Sequence, residues 1–190
     1  MGQRGCGKSY LAQGIQKIWP RRIILDTLSD YNEGEVVHSF HEFAERLQHF
    51  HSEKNDFTLI YKFDPESDLS AEEFEEILRL SYYFGNVQIV IEEIHNFSSP
   101  HVLPKWLKNC LLTGRHQNVS LLVTTQRPGE LNKTILSQCG HIFVGKIVEG
   151  NDLRYISAFL RQDANRLVSL PERRFLYFSK NGVQEISNDF

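Results

Sequence analysis

Short apolar runs alternate along this chain with stretches whose apolar residues recur every three or four positions, the pattern of buried strands interleaved with amphipathic helices. Residues 22–26 (RIILD), 36–40, 57–63 (FTLIYKF), 87–91 (VQIVI), 119–123 (VSLLV) and 142–144 read as strands. The runs at 87–91 and 119–123 are apolar enough to be covered on both faces, as central strands of a parallel sheet are. Between the strands, residues 10–19 predict a helix stopped by Pro20, and 104–112, 152–160 and 164–168 predict others. Ser39 with Glu42, and Ser70 with Glu73, have the spacing of capping boxes. Behind the first, Phe43, Ala44, Leu47 and Phe50 share a helix face. Behind the second, Leu69 and Phe74 form a hydrophobic staple, and Ile77, Leu78 and Ser81 continue the apolar face to Gly85. Residues 175–179 and 183–186, joined across Asn181-Gly182, predict a β-hairpin. The order of elements is that of an α/β fold, mainly a parallel sheet flanked by helices, ending in a C-terminal β-hairpin.

At 190 residues the chain has the length of one domain, and no linker or repeat divides it, so residues 1–190 are read as a single unit. Its 21 basic and 24 acidic side chains leave a net charge of −3, which excludes a global positive field as the means of holding nucleic acid or anionic lipid. Three widely spaced cysteines in no CxxC pattern suit a reducing cytoplasm better than a disulfide framework, and no apolar run is long enough to insert in a membrane.

The segment Gly2-Gln3-Arg4-Gly5-Cys6-Gly7-Lys8-Ser9 fits G-x-x-x-x-G-K-[ST] at every fixed position and runs directly into a helical pattern. Binding a polyphosphate needs successive backbone N–H groups turned into one concavity, and glycines permit the required dihedral angles and close approach. Gly2, Gly5, Cys6, Gly7, Lys8 and Ser9 are therefore the expected ATP contacts, with Lys8 at the terminal phosphates and the Ser9 hydroxyl on Mg²⁺. Only Met1 precedes Gly2 in this sequence, so the strand that ordinarily anchors such a loop is expected to be missing.

A second motif lies about 80 residues on, where the apolar run 87–91 ends in Glu92 and Glu93. Alone, two carboxylates at a strand end are most often solvated. Coupled to the glycine-rich loop, they read as a Walker B element, with Glu92 holding Mg²⁺ through its water shell and Glu93 orienting and deprotonating the attacking water.

With these motifs in place the sequence resembles the HerA/FtsK superfamily of DNA-translocating ATPases, and its minimal size is similar to the viral genome-packaging members. The resemblance rests on GQRGCGKS (2–9), IILDTLSDY (23–31), VIEEIHNF (90–97) and LLTGRHQNVSLLVTTQRP (111–128). It implies a RecA-like P-loop NTPase fold and a homo-oligomeric ring that moves double-stranded DNA with ATP and Mg²⁺. Capsid or portal components are the implied partners, in the host cytoplasm or associated with the virion. It also implies that Gln126 senses the γ-phosphate, and that Arg115, with Arg127 as rival, is offered as an arginine finger to the neighbouring subunit. Glu92 departs from the aspartate usual there. Two other readings stay open: a cellular, conjugation-type or filamentous-phage assembly ATPase, and a nucleotide-binding scaffold without turnover.

Overall fold

The computed structural model describes residues 1–53, 55–63, 71–161 and 164–187. Five parallel strands form the main sheet: β1 (Arg21–Asp26), β2 (Glu35–Val37), β3 (Phe57–Lys62), β4 (Val87–Ile91) and β5 (Val119–Val123), in the order β2-β3-β1-β4-β5. A second, antiparallel sheet contains β6 (Ile142–Val144), β7 (Arg174–Ser179) and β8 (Gly182–Ser187), the last two being the expected hairpin. The helices are α1 (Lys8–Gln16), α2 (Phe40–Glu53), α3 (Ala71–Phe84), α4 (Lys105–Thr113), α5 (Lys133–Gln138), α6 (Gly150–Leu160) and α7 (Ala164–Val168).

Alternation along the strands divides the core. Ile23, Leu25, Leu59, Tyr61, Ile89 and Ile91 belong to one large cluster with Phe43 and Leu47 of α2 and Phe74, Ile77 and Leu78 of α3. Ile24, Ile60, Val90 and Tyr31 form a separate cluster. Each such side chain, removed wholly from water, contributes about 1.5–3 kcal/mol, which is why the buried positions of β1, β3 and β4 are apolar apart from Asp26 and Gln88. Helix α1 turns the other way: Leu11 and Ile15 pack with Phe143, Phe175 and Ile186 of the second sheet.

Local chemistry moves several boundaries. The expected strand at 36–40 ends at Val37, because Ser39 caps α2 and draws Phe40 into the helix: the Glu42 N–H donates to Ser39 Oγ (3.3 Å) and Glu42 Oε2 accepts from the His38 N–H (2.9 Å). The helix expected over 10–19 begins earlier, at Lys8 on the glycine loop, and ends at Gln16. Helix α5 was not anticipated; its start is fixed by Asn132, whose side chain accepts from the Thr134 N–H (3.0 Å). Ser70 and Leu69, and with them the second cap and its staple, lie outside the described residues.

Ahead of the loop, Met1 pairs with the second sheet. Its N–H donates to the Phe143 carbonyl (2.6 Å) and its carbonyl accepts from the Gly145 N–H (2.8 Å), the pattern of a parallel bridge to β6. On the other side the Gly2 N–H donates to the Thr125 carbonyl (3.3 Å), just beyond β5. Behind Met1 a cavity of about 830 Å³ opens between α1, β5, α4 and β6.

The register sets up the site. Leu25, Ile91 and Val123 lie level across β1, β4 and β5, so Asp26, Glu92 and Thr124 leave the sheet side by side at its carboxyl edge. That edge is where parallel sheets bind ligands.

Candidate nucleotide site

The glycine loop has the backbone that its sequence implies. Gly2, Gly5 and Gly7 have φ of 148°, 81° and 93°, and Gly7 is the left-handed residue from which α1 starts. A Cβ on Gly2 would sit 2.8 Å from Cys6 Sγ and 3.3 Å from the Gly145 backbone, so the first position is closed to side chains by contact as well as by conformation. Cys6 is buried with Leu11 and Phe175 and anchors the loop from below. A bond from the Gln3 N–H to the Lys146 carbonyl (2.9 Å) ties the loop to the segment just beyond β6. Lys8 is buried, and its Nζ donates to the Gln3 carbonyl (3.3 Å) across the loop it would share with phosphates. Ser9 is partly exposed on the first turn of α1.

The two carboxylates after β4 have different surroundings. Glu93 has φ of 49°, a left-handed geometry that turns it away from the strand direction. Its Oε2 accepts from the Gln126 backbone N–H and its Oε1 from Gln126 Nε2, both at 2.8 Å, and His95 Nδ1 lies 3.2 Å from Oε2. Burial alone would raise its pKa. The bonds from His95 and Gln126, with the Lys8 charge, outweigh this and hold the carboxyl below the usual carboxylate range.

Glu92 has no exposed surface. Tyr31 donates its phenol proton to Oε1 (2.7 Å) and Thr124 its hydroxyl proton to Oε2 (2.6 Å). Burial pushes its pKa up, and the two hydroxyls offset this only in part. The same burial, with the Glu92 charge, pushes the Tyr31 phenol up. Tyr31 is delivered by a loop wrapped around Asp26, whose carboxylate accepts from the Leu28, Asp30 and Tyr31 N–H groups (3.2, 3.2 and 3.1 Å).

The structure therefore gathers Gly2, Gly5, Cys6, Gly7, Lys8, Ser9, Glu92, Glu93 and Gln126 at one edge. Arg115 is not with them. It is exposed in the turn Gly114–Gln117, which precedes β5, whereas Gln126 follows that strand. Five strand residues separate the two turns by roughly 16 Å, at about 3.3 Å per residue. Arg115 and Gln126 therefore stand at opposite ends of β5; exposed Arg127 is adjacent to Gln126. Tyr31, Asp26 and Thr124 were not among the expected site residues.

The donor chemistry suits Mg²⁺ at Ser9, a hydroxyl beside the phosphate loop. It does not suit Mg²⁺ at Glu92, because a carboxylate with no exposed surface and a hydroxyl on each oxygen presents nothing to a metal's water shell. Among the described residues no group of three or more His, Cys, Asp and Glu side chains forms a metal cluster, and no helix is long and apolar enough to cross a membrane.

The fold belongs with P-loop NTPases. The chain is similar to the genome-packaging NTPase B204 of Sulfolobus turreted icosahedral virus 2, solved with the ATP analogue AMPPCP, with a TM-score of 0.75 and 22 % identity over 97 % of this chain and 93 % of that one. B204 of Sulfolobus turreted icosahedral virus, described as a DNA-packaging ATPase, gives a TM-score of 0.70 at 20 % identity, covering 97 % and 93 %. Among curated proteins, a segment of 85 residues is 33 % identical to "Probable helicase MJECL08" of Methanocaldococcus jannaschii, and one of 127 residues is 26 % identical to "Protein P9" of Pseudoalteromonas phage PM2. These matches take in 43 % and 60 % of this chain but only 16 % and 56 % of those relatives. No family model matches the chain.

Proposed function

We propose that this protein binds ATP with Mg²⁺ on the loop Gly2–Ser9 and hydrolyses its β–γ phosphoanhydride, driving double-stranded DNA as a HerA/FtsK-type translocase in viral genome packaging. The observation that carries the reading is Glu93: an ionised carboxylate, held at both oxygens by Gln126 and lying within electrostatic reach of Lys8, at the carboxyl edge of the sheet.

Backbone N–H groups of the loop and the N-terminus of α1 would take the phosphate oxygens, and Lys8 would exchange the Gln3 carbonyl for a terminal phosphate. The Ser9 hydroxyl would hold Mg²⁺, which when bound would neutralise phosphate charge. Glu93 would accept a hydrogen bond from the attacking water and align it on the γ-phosphorus. A carboxylate with a lowered pKa is a weak base, but phosphoryl transfer passes through a loose transition state in which aligning the water matters more than early proton removal. The proton then passes to Glu93 or to the departing phosphate. Gln126, on the side of Glu93, would exchange its amide bond for the γ-phosphate and so report nucleotide state.

Arg115, exposed at the far end of β5, would act in trans, in a ring whose subunits complete one another's sites. Capsid or portal components would dock such a ring in the host cytoplasm or on the virion. The likeness of one segment to an archaeal helicase favours, as the second reading, a cellular translocase with the same chemistry.

The test is steady-state ATP hydrolysis by the purified chain with and without double-stranded DNA, with Lys8→Ala as blank. Turnover that DNA stimulates and Lys8→Ala abolishes supports the proposal. Nucleotide binding without turnover in either condition would instead support a scaffold.

A further inference from the structure

Glu92 sits where a metal-facing acid is expected, yet its carboxylate is enclosed. A hydroxyl carries one proton, and that of Thr124 goes to Glu92 Oε2 at 2.6 Å. The Thr124 oxygen is thereby left as an acceptor, and it takes the backbone N–H of Glu93 at 3.1 Å. The Thr124 backbone clamps the same turn from both ends, its N–H donating to the Ile91 carbonyl and its carbonyl accepting from the Ile94 N–H (both 3.0 Å).

These bonds surround the residue that needs them. Glu93 is a non-glycine residue at φ 49°, a strained conformation that persists only where its surroundings enforce it. From the other side, Tyr31 fixes Glu92 Oε1, and Tyr31 is itself held by the Asp26 carboxylate through its N–H.

We propose that Glu92 is a positioning residue for Glu93, acting through the Thr124 hydroxyl and braced by Tyr31, and is not a ligand to the water shell of Mg²⁺. The proposal rests on the ATPase reading above for its kinetic consequence. Glu92 orients the Thr124 hydroxyl, the hydroxyl oxygen secures the Glu93 N–H, and the left-handed backbone aims the Glu93 carboxylate at the phosphate loop. A displacement of Glu93 by about 1 Å would suffice to lower turnover by up to a hundredfold.

The test uses the full chain and four variants: Glu92→Gln, Thr124→Val, Thr124→Ser and the double variant Glu92→Gln/Thr124→Val. Turnover is measured as a function of ATP and of Mg²⁺, and binding of a fluorescent non-hydrolysable ATP analogue is titrated with and without Mg²⁺. Glu92→Gln and Thr124→Val should each lower kcat by about tenfold or more, while the half-saturating Mg²⁺ and the analogue Kd stay within about twofold of wild type. Thr124→Ser, which keeps the hydroxyl, should retain most of kcat. The double variant should be no more than about twofold slower than the slower single variant, because both break one path.

A roughly tenfold rise in half-saturating Mg²⁺ for Glu92→Gln, with analogue binding weakened only when Mg²⁺ is present, would overturn the proposal. So would wild-type kcat in Thr124→Val, which also serves if Glu92→Gln fails to fold. A wild-type chain that binds but does not turn over would count against the ATPase reading; the binding arm still decides the role of Glu92, because unaltered Mg²⁺-dependent binding in Glu92→Gln supports it and weakened binding refutes it.

Discussion

Gln126 holds the carboxylate of Glu93 at both oxygens, through its backbone N–H to Oε2 and its side-chain amide to Oε1, each at 2.8 Å. The contact joins the turn that follows β5 to the turn that follows β4, so the loop that would sense the nucleotide and the group that would align water are mechanically one.

Replacing Gln126 by Leu removes the amide donor and keeps the backbone donor. A hydrogen bond to a charged group contributes about 1.5–3 kcal/mol, so a loss towards the lower figure is expected in denaturant unfolding near neutral pH. Glu93 has a folded pKa below its unfolded value, so its stabilising contribution is complete above the unfolded pKa and is lost as pH falls through the folded one. The gap between wild type and Gln126→Leu should therefore be widest near neutral pH and shrink as pH falls through and below the usual carboxylate range. A gap independent of pH would show that Gln126 acts on something other than the Glu93 charge.

Asp26 gives a graded test of the loop that carries Tyr31. Its Oδ1 accepts from Leu28 and Asp30 and its Oδ2 from Tyr31. Asp26→Asn keeps an acceptor for the first two and offers an amide to the third; Asp26→Ala removes the acceptor of all three, of which the Tyr31 N–H is the buried one. Each buried donor left unsatisfied costs about 1–3 kcal/mol. The Ala variant should melt well below the Asn variant, and Asn below wild type. Equal Tm for Asn and Ala would mean that the Tyr31 N–H dominates the loop.

Gly2→Ala tests the start of the phosphate loop. A Cβ there would lie 2.8 Å from Cys6 Sγ, on a backbone with φ of 148°. Strain of about 1–3 kcal/mol is expected, with loss of nucleotide affinity larger than the loss of fold stability, because the loop must shift from Thr125 and Lys146 while the sheets remain. Calorimetric titration with ATP beside thermal unfolding separates the two.

Arg115 is predicted to be dispensable for folding and for nucleotide binding by isolated subunits, since it is exposed and lies at the opposite end of β5 from Gln126. Mixing Arg115→Ala with Glu93→Gln should restore part of the activity that each lacks alone, because some interfaces then pair an intact arginine with an intact glutamate. No recovery at any ratio, with both variants shown to assemble, would contradict a shared site.

The parts of this fold legible in the sequence are those written locally. The glycine loop, the apolar runs of β4 and β5, the hairpin at Asn181-Gly182 and the cap at Ser39 each depend on neighbours within a few residues. The cap even explains the early end of β2, since a capping serine and a continuing strand compete for Phe40. What was not legible is tertiary. Tyr31 meets Glu92 across 61 positions and Thr124 meets it across 32, and nothing near any of the three marks the meeting. The Asp26 loop did leave a trace, an aspartate at a strand end followed by a turn-rich Thr-Leu-Ser-Asp, but only the fold says which side chain that loop delivers.

The central claim is that hydrolysis occurs at the Gly2–Ser9 loop with Glu93 aligning the water, and Glu93→Gln measures it most directly. The glutamine is nearly isosteric but cannot accept a proton or bear the charge. The account predicts ATP binding within a few-fold of wild type, and turnover at least a hundredfold lower. Turnover in Glu93→Gln equal to wild type, at equal nucleotide occupancy, would contradict it.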